Sequence, residues 1–148
     1  MITAAASIAL APTERVRAAE APHVVAADPI AAGRFLVDYG DCNDCHTAQF
    51  SQLHDKIPES RRLTGNPRGF KGPWGTSYAP NLRLVFASMS EEQWLHLVRD
   101  PRGVDHRPMP WWNVQRLTPN DQRAIYAYIH SLGPAGKPMP GYAPPKPR

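Results

Sequence analysis

Two cysteines and a histidine lie close together in the run Cys42-Asn43-Asp44-Cys45-His46. These are the 2 cysteines that the whole chain contains. The C-x-x-C-H spacing is typical of haem attachment, because each cysteine sulfur can form a thioether with one vinyl group of haem. The histidine that follows can bind the iron as its first axial ligand. The motif therefore predicts one haem c, covalently attached through Cys42 and Cys45 and ligated by His46.

Three other kinds of site use a C-x-x-C pair, and the sequence favours each of them less. A thioredoxin-like redox motif needs a neighbouring βαβ pattern, which the sequence does not show. A structural zinc site needs four protein ligands, and the chain has neither a second C-x-x-C nor an H-x-x-x-H. A short structural disulfide between the two cysteines is the remaining alternative.

Proline supplies 17 of the 148 residues, more than double its average usage. Such a composition favours long irregular segments over a large sheet, and the length suits one domain with flexible ends. A haem would add a large apolar surface around which a modest core can close. We therefore expect a small all-α domain at residues 28–133, with three to four helices and long loops wrapped around one haem.

The formal charge is +4, and most of the basic excess lies in one stretch of the chain. No nucleic-acid-binding motif accompanies it, and aromatic residues do not alternate with the basic ones in a stacking pattern. The sequence therefore argues against nucleic acid and favours an acidic redox partner protein, or simple solvation. The basic residues of the stretch are Lys56, Arg61, Arg62, Arg68, Lys71 and Arg83.

The first residues resemble an export signal. Ile2 to Ala11 is an uncharged, largely apolar run, and small residues suited to cleavage follow near Ala18 or Ala21. No lysine or arginine precedes the run, so a disordered leader is the alternative, and the run is too short to span a bilayer. Covalent haem attachment in bacteria belongs to the periplasmic side. We therefore expect residues 1–27 to be an export signal or leader, and the protein to be periplasmic without a transmembrane segment.

Capping patterns mark three helices, at about 28–40, 90–100 and 118–133. The first begins at Asp28-Pro29, the second at a capping box of Ser90 and Gln93, and the last at Thr118. The apolar residues expected to be buried are Ile30, Phe35, Leu36 and Tyr39 in the first helix, and Ile125, Tyr128, Ile129 and Leu132 in the last.

Two segments show little periodicity. Glycine and proline interrupt residues 47–84, which predicts long loops, and wrapping a cofactor would explain such loops in a small domain. Phe70, Trp74 and Tyr78 either line the haem pocket and donate to a propionate or simply anchor these loops. Residues 134–148 are proline-rich and basic, which predicts a flexible tail with nothing to bury.

The second axial position of the iron needs its own ligand. A methionine thioether is usual in electron-carrying cytochromes and raises the reduction potential. Met109 is the leading candidate, because Pro108 and Pro110 restrict the loop that would hold this weak ligand. Met89 directly precedes a helix cap and fits a packing role there. His106 or another histidine is the alternative ligand.

The chain resembles the class I cytochromes c, especially the single-haem domains of cytochrome subunits of bacterial alcohol dehydrogenases. The resemblance covers about residues 29–134. It rests on Gly33-Arg34-Phe35-Leu36, Gly40 to Thr47, Ala79-Pro80-Asn81-Leu82, Arg107-Pro108-Met109-Pro110-Trp111, and Asp121 to Ile129.

This resemblance implies a cytochrome c-like fold in which the first and last helices cross at a close contact. Gly33, Phe35 and Tyr126 match that contact. It also implies that a proline carbonyl accepts a hydrogen bond from the haem histidine, and Pro80 matches that position. The extended basic segment from Gln49 to Arg68 and the single haem motif depart from a three-haem dehydrogenase subunit.

The function that these features predict is periplasmic transfer of one electron through a haem ligated by His46 and Met109, without enzymatic chemistry at the iron. Redox proteins such as a dehydrogenase, an oxidase or a membrane complex would be its partners, with the chain a monomer or a complex subunit. Alternatives are a haem enzyme or gas sensor with an open sixth site, or an electron-transfer subunit of a dehydrogenase complex.

Overall fold

A computed structural model describes residues 22–104 and 107–146. Most of the predicted export signal lies outside these ranges, as does the alternative ligand His106. Within them, no helix is both long enough and apolar enough to cross a membrane.

The described chain forms short helices around one β-hairpin. Two 3₁₀ turns, His54–Lys56 and Glu59–Arg61, lie between the third helix and the hairpin. In chain order the elements are α1 (Pro29–Tyr39), α2 (Cys42–His46), α3 (Phe50–Leu53), β1 (Asn66–Gly72), β2 (Gly75–Ala79), α4 (Leu82–Ala87), α5 (Glu91–Arg99), α6 (Trp111–Gln115) and α7 (Pro119–Ser131).

Side-chain caps begin α1, α5 and α7 where the sequence predicts them. The Asp28 carboxylate accepts a hydrogen bond from the Ala31 amide at 2.8 Å. Ser90 and Gln93 form both halves of a capping box, with distances of 2.8 and 3.2 Å. The Thr118 hydroxyl caps α7 by accepting from the amide of Asp121 at 3.2 Å. Each cap satisfies a backbone donor that the helix itself leaves unpaired.

The β-hairpin means that the strict all-α prediction is not confirmed, although the fold is mainly helical. Strands β1 and β2 are antiparallel, with Phe70 opposite Ser77 and Gly72 opposite Gly75. The register shifts between Asn66 and Phe70, so the pairing is irregular. Neither strand alternates large apolar and polar residues, and this removes the usual sequence signal for a strand.

The core forms where α1 crosses α7. Gly33 allows the close approach, because a Cβ there would lie 1.9 Å from the Ala124 carbonyl oxygen and 2.8 Å from the Tyr128 Cβ. The prediction that Phe35 and Tyr126 form this contact is wrong. Phe35 is 54% exposed and stacks on Tyr39, whereas Tyr126 packs against Phe86.

The buried face of α1 also differs from the prediction. Leu36 is buried as expected, but Ile30, Phe35 and Tyr39 are exposed. The residues that α1 buries are Ala32, Gly33, Leu36 and Val37. The helix therefore presents its smaller residues to α7, since the two backbones approach too closely for aromatic rings.

We expect Gly33→Ala to destabilise the protein by about 2 kcal/mol, because overpacking at a backbone contact outweighs the helix propensity that alanine gains. Urea unfolding followed by circular dichroism measures this loss. Gly141→Ala is the matched control, since nothing lies within 4 Å of a Cβ built there. Equal stability of the two variants would show that the α1–α7 contact tolerates a side chain.

The C-terminal segment is docked, which differs from the predicted flexible tail. We call residues 134–146 the C-terminal strap. Thr76 of β2 and Ala143 of the strap exchange two backbone hydrogen bonds, of 2.7 and 2.8 Å. The side-chain amide of Asn81 donates to the carbonyl oxygens of Ala135 and Lys137. These hydrogen bonds satisfy backbone amide and carbonyl groups of both the strap and the hairpin. The hydropathy of the segment does not indicate such docking.

Candidate functional site

Helix α2 places the two cysteines and the histidine on one face. Cys42, Cys45 and His46 stand at positions i, i+3 and i+4, which lie above one another on a helix surface. Asp41 has a left-handed backbone, with φ of 53°, and so lets the chain turn sharply out of α1. All three side chains can therefore reach one bound group.

The other face of α2 is anchored to the protein by a chain of hydrogen bonds. The Thr47 hydroxyl donates to the buried Asn43 side chain at 2.7 Å. The same hydroxyl accepts from the Leu63 amide at 2.8 Å. The sequence gives no signal for this anchoring, because Leu63, which donates to Thr47, is distant along the chain and becomes a neighbour only through folding.

The His46 ring is buried and oriented. Its Nδ1 lies 2.9 Å from the carbonyl oxygen of Pro80. A carbonyl can only accept, so Nδ1 carries the proton and Nε2 keeps its lone pair. Burial lowers the pKa of His46, and the bond to Pro80 opposes part of that effect. The ring is therefore held as the neutral tautomer that binds a metal through Nε2.

The two cysteines are half-buried thiols. Both are free in the structure. Burial raises the pKa of Cys42 to about 11 and also raises the pKa of Cys45. Thioredoxin-like motifs depend on a lowered thiol pKa, so these values argue against that alternative. The described ranges also lack any cluster of three or more His, Cys, Asp or Glu side chains able to hold a metal, so they give the zinc alternative no support.

A cavity of about 880 Å³ lies between the end of α2 and the β-hairpin. Its volume falls within the range of about 300–1,000 Å³ typical of small-molecule and cofactor sites. Asp44 and Ala48 line it on the α2 side, Phe70 and Trp74 on the hairpin side, and Pro108 at the loop before α6. A second cavity of about 910 Å³ lies along α4 and α5 and is lined in part by Met89. Neither cavity is lined by Cys42, Cys45, His46, Pro80 or Met109.

Two tryptophans present buried donors without partners. Among the described residues, Trp74 Nε1 and Trp111 Nε1 are the buried side-chain polar atoms that lack a hydrogen bond. Leaving such a donor unsatisfied costs about 1–3 kcal/mol. Trp74 lines the cavity near α2, whereas Trp111 packs against Trp94 of the core. A haem brings two propionates, whose oxygens could accept from the Trp74 donor, so this part of the cavity fits the cofactor.

Met109 lies in the loop directly before α6 and is half-buried. Its carbonyl oxygen accepts from the Trp111 amide at 3.0 Å, and the hydroxyl of Ser77 donates to the Arg107 carbonyl oxygen. The bond from Ser77 thus fixes this loop to β2. Pro108, which precedes Met109, lines the cavity between α2 and the hairpin.

The other candidate methionines have different surroundings. Met89 packs against the core cluster, and its carbonyl oxygen accepts from the hydroxyl of Tyr126 at 2.9 Å. Met139 belongs to the C-terminal strap and lies beside Gly65. Neither lines the cavity between α2 and the hairpin, and Met109 does not line it either, although its neighbour Pro108 does.

Comparison with known proteins finds two curated relatives, each the cytochrome c subunit of a quinone-dependent alcohol dehydrogenase. One comes from Gluconacetobacter polyoxogenes and the other from Komagataeibacter europaeus, and each is 29% identical over 116 residues. The match covers 72% of this chain but 22% of each relative, so the chain spans about a fifth of their length. No family model and no solved structure matches the chain significantly. Both relatives are named as cytochrome c subunits, which agrees with an electron carrier and supports a cytochrome c-like relationship for this chain.

Proposed function

We propose that this chain is a periplasmic cytochrome c domain that carries one electron on a single covalently attached haem c. The observation that carries the proposal is the arrangement of His46. The ring is buried, its Nδ1 donates to Pro80, and its Nε2 stands on the same helical face as both cysteines.

Each residue of the site has a stated role in this proposal. Cys42 and Cys45 tether the haem, and His46 and Met109 supply its two axial ligands. Pro80 fixes the imidazole orientation and makes it a stronger ligand. When bound, the haem supplies a one-electron iron couple. The unpaired Nε1 donor of Trp74, which lines the cavity, is suited to a propionate.

Two protein ligands leave the iron no position for oxygen or a substrate, so we assign electron transfer and not catalysis to the chain. Electrons would pass through a haem edge during brief contact with a partner. Redox encounters of this kind are small in area and weak, and charge mainly sets their rate. The names of the relatives favour a dehydrogenase as one such partner, and a subunit of a dehydrogenase complex is therefore the second candidate function.

The test of this proposal is carbon monoxide binding to the reduced protein, followed by flash photolysis or stopped flow. We expect binding to be slow and limited by dissociation of Met109, because a filled sixth position must open first. Met89→Leu, at a methionine that packs against the core cluster, is a matched control and should behave like the original protein. Rapid binding by the original protein would favour the haem enzyme or gas sensor instead.

The cavity has a basic rim, which predicts salt-sensitive electron exchange. Arg68 and Lys71 line it and are exposed. We expect reduction of ferricyanide, an anion, to slow as ionic strength rises and to slow severalfold in the variant carrying both Arg68→Glu and Lys71→Glu. Arg99→Glu on α5 makes a like-signed change at an exposed residue that does not line this cavity. Equal rates in all three proteins would place the electron-transfer edge elsewhere.

A further inference from the structure

The C-terminal strap contacts the residue that follows Pro80. Asn81 is 2% exposed, and its side-chain oxygen caps α4 by accepting from the Leu84 amide at 3.2 Å. Its side-chain nitrogen donates to the carbonyl oxygens of Ala135 and Lys137, at 2.7 and 3.2 Å. The strap therefore holds one side of the backbone whose carbonyl orients His46.

A second contact lies close to His46 itself. The amide of Gly65 donates to the His46 carbonyl oxygen at 2.7 Å. The side chain of Met139 covers Gly65 so closely that a Cβ there would lie 2.5 Å from its Cγ. The strap thus packs on the segment that pairs with the end of α2.

The third contact holds the hairpin. Ala143 pairs with Thr76, and the Tyr142 hydroxyl donates to the carbonyl oxygen of Trp74. Gly75 admits this approach, since a Cβ there would lie 2.3 Å from the Ala143 carbonyl oxygen. The turn that carries the unpaired Trp74 donor is therefore fixed by the strap.

The hairpin in turn holds the loop of the predicted sixth ligand. Ser77 follows Thr76 in β2, and its hydroxyl donates to the Arg107 carbonyl oxygen, two residues before Met109. In contrast, the buried cluster between α1 and α7 contains no residue of the strap. The contacts of the strap thus converge on the site, while the main core forms without it.

We propose that the C-terminal strap is a positioning element of the haem site, which holds the Pro80 backbone and the Met109 loop at fixed places around α2. This inference rests on the proposed function. Loss of the strap frees the hairpin and, through Ser77, the Met109 loop. The methionine then leaves the iron more often, although the cysteine attachments and His46 stay in place.

Three shortened chains test the inference: one ends at Pro134, one at Pro138 and one at Pro145. Ending at Pro138 keeps the bonds to Asn81 but removes Met139 and the hairpin contacts, whereas ending at Pro145 keeps every contact described above. We expect carbon monoxide to bind the reduced chain ending at Pro134 about tenfold faster, the factor that one or two lost net hydrogen bonds would give. The chain ending at Pro138 should be intermediate, and the chain ending at Pro145 should match the full chain.

Two further measurements separate an effect on the position of the Met109 loop from a general loss of protein stability. The weak far-red band from methionine to ferric iron should lose intensity in the chain ending at Pro134, and a synthetic peptide of residues 135–148 should restore it. If the shortest chain does not accumulate, Ala143→Pro decides, because proline removes the amide that donates to Thr76. That variant should also bind carbon monoxide faster.

The outcomes distinguish this inference from the proposed function. The strap's role would be overturned if the chain ending at Pro134 kept its carbon monoxide binding rate and its far-red band. If that chain does not accumulate, the same result in Ala143→Pro would overturn it. Either result would leave the proposed electron-carrier function unaffected. A full-length protein without covalent haem would contradict the proposed function, and the strap's role at a haem site with it.

Discussion

A variant with serine at both Cys42 and Cys45 is expected to hold no covalently attached haem. A serine hydroxyl does not replace the sulfur that forms a thioether with a haem vinyl group, and the chain has no other cysteine. His46 and Met109 would still be present, so any haem that remains is held by coordination alone. Extraction with acidified acetone should then remove all of it, whereas the original protein should keep one haem per chain.

The matched control lies inside the motif. Asp44→Ala changes an exposed residue between the cysteines and leaves the spacing of Cys42, Cys45 and His46 intact. We expect it to attach haem normally, which separates the need for sulfur from a general effect of mutating α2. Single replacement of either cysteine should leave one thioether and one free vinyl group. A red shift of the reduced absorption bands would report that vinyl group.

Retention of haem by the double serine variant through acid extraction would contradict the proposed attachment. A chain that is colourless before any mutation would contradict it more broadly.

The second large effect is expected from Met109→Ala. Without the thioether the ferric iron should become high-spin or bind water, and the far-red methionine band should disappear. The reduction potential should fall by an amount on the order of 100 mV, since a methionine ligand favours ferrous iron. Spectroelectrochemical titration measures both changes in one sample.

Met89→Leu is the control for Met109→Ala, because Met89 packs against the core cluster. It should leave the spectrum and potential unchanged. His106→Ala tests the alternative ligand. If His106→Ala removes the low-spin spectrum while Met109→Ala does not, the sixth ligand is the histidine.

The parts of the fold that follow from local sequence could be predicted. Asp28, Ser90 and Thr118 cap the helices because each needs only a backbone amide within three residues. The C-x-x-C-H spacing likewise identifies Cys42, Cys45 and His46, but the short helix α2 that places them on one face was not predicted.

The parts that depend on distant residues could not be predicted. Phe35 has the apolar character of a core residue, but the close approach of α1 and α7 at Gly33 leaves it exposed. The hairpin is held by backbone hydrogen bonds, and the docked strap by backbone bonds together with bonds from the Asn81 and Tyr142 side chains. Hydropathy reveals neither kind of contact. The unpaired donors of Trp74 and Trp111 emerge only when the surrounding segments have packed.

The bond between His46 and Pro80 joins one residue that the sequence motif identifies to one that it does not. The motif identifies His46 as the candidate ligand, but Pro80 stands 34 positions further along the chain. Its place was expected from the resemblance to class I cytochromes c and from no spacing rule. A backbone carbonyl carries no side-chain signal in the sequence. Hydrogen-bond acceptors that orient a ligating histidine are therefore found from structure or from relatives.

The central claim is that Cys42, Cys45 and His46 hold a low-spin haem c, and an absorption spectrum tests it most directly. The protein should be exported by cells with haem-attachment machinery, recorded oxidised and reduced, and then extracted with acidified acetone. We predict a low-spin c-type spectrum with the far-red methionine band, and haem that stays with the protein. High-spin haem would contradict ligation by both His46 and Met109, and absence of attached haem would contradict the claim itself.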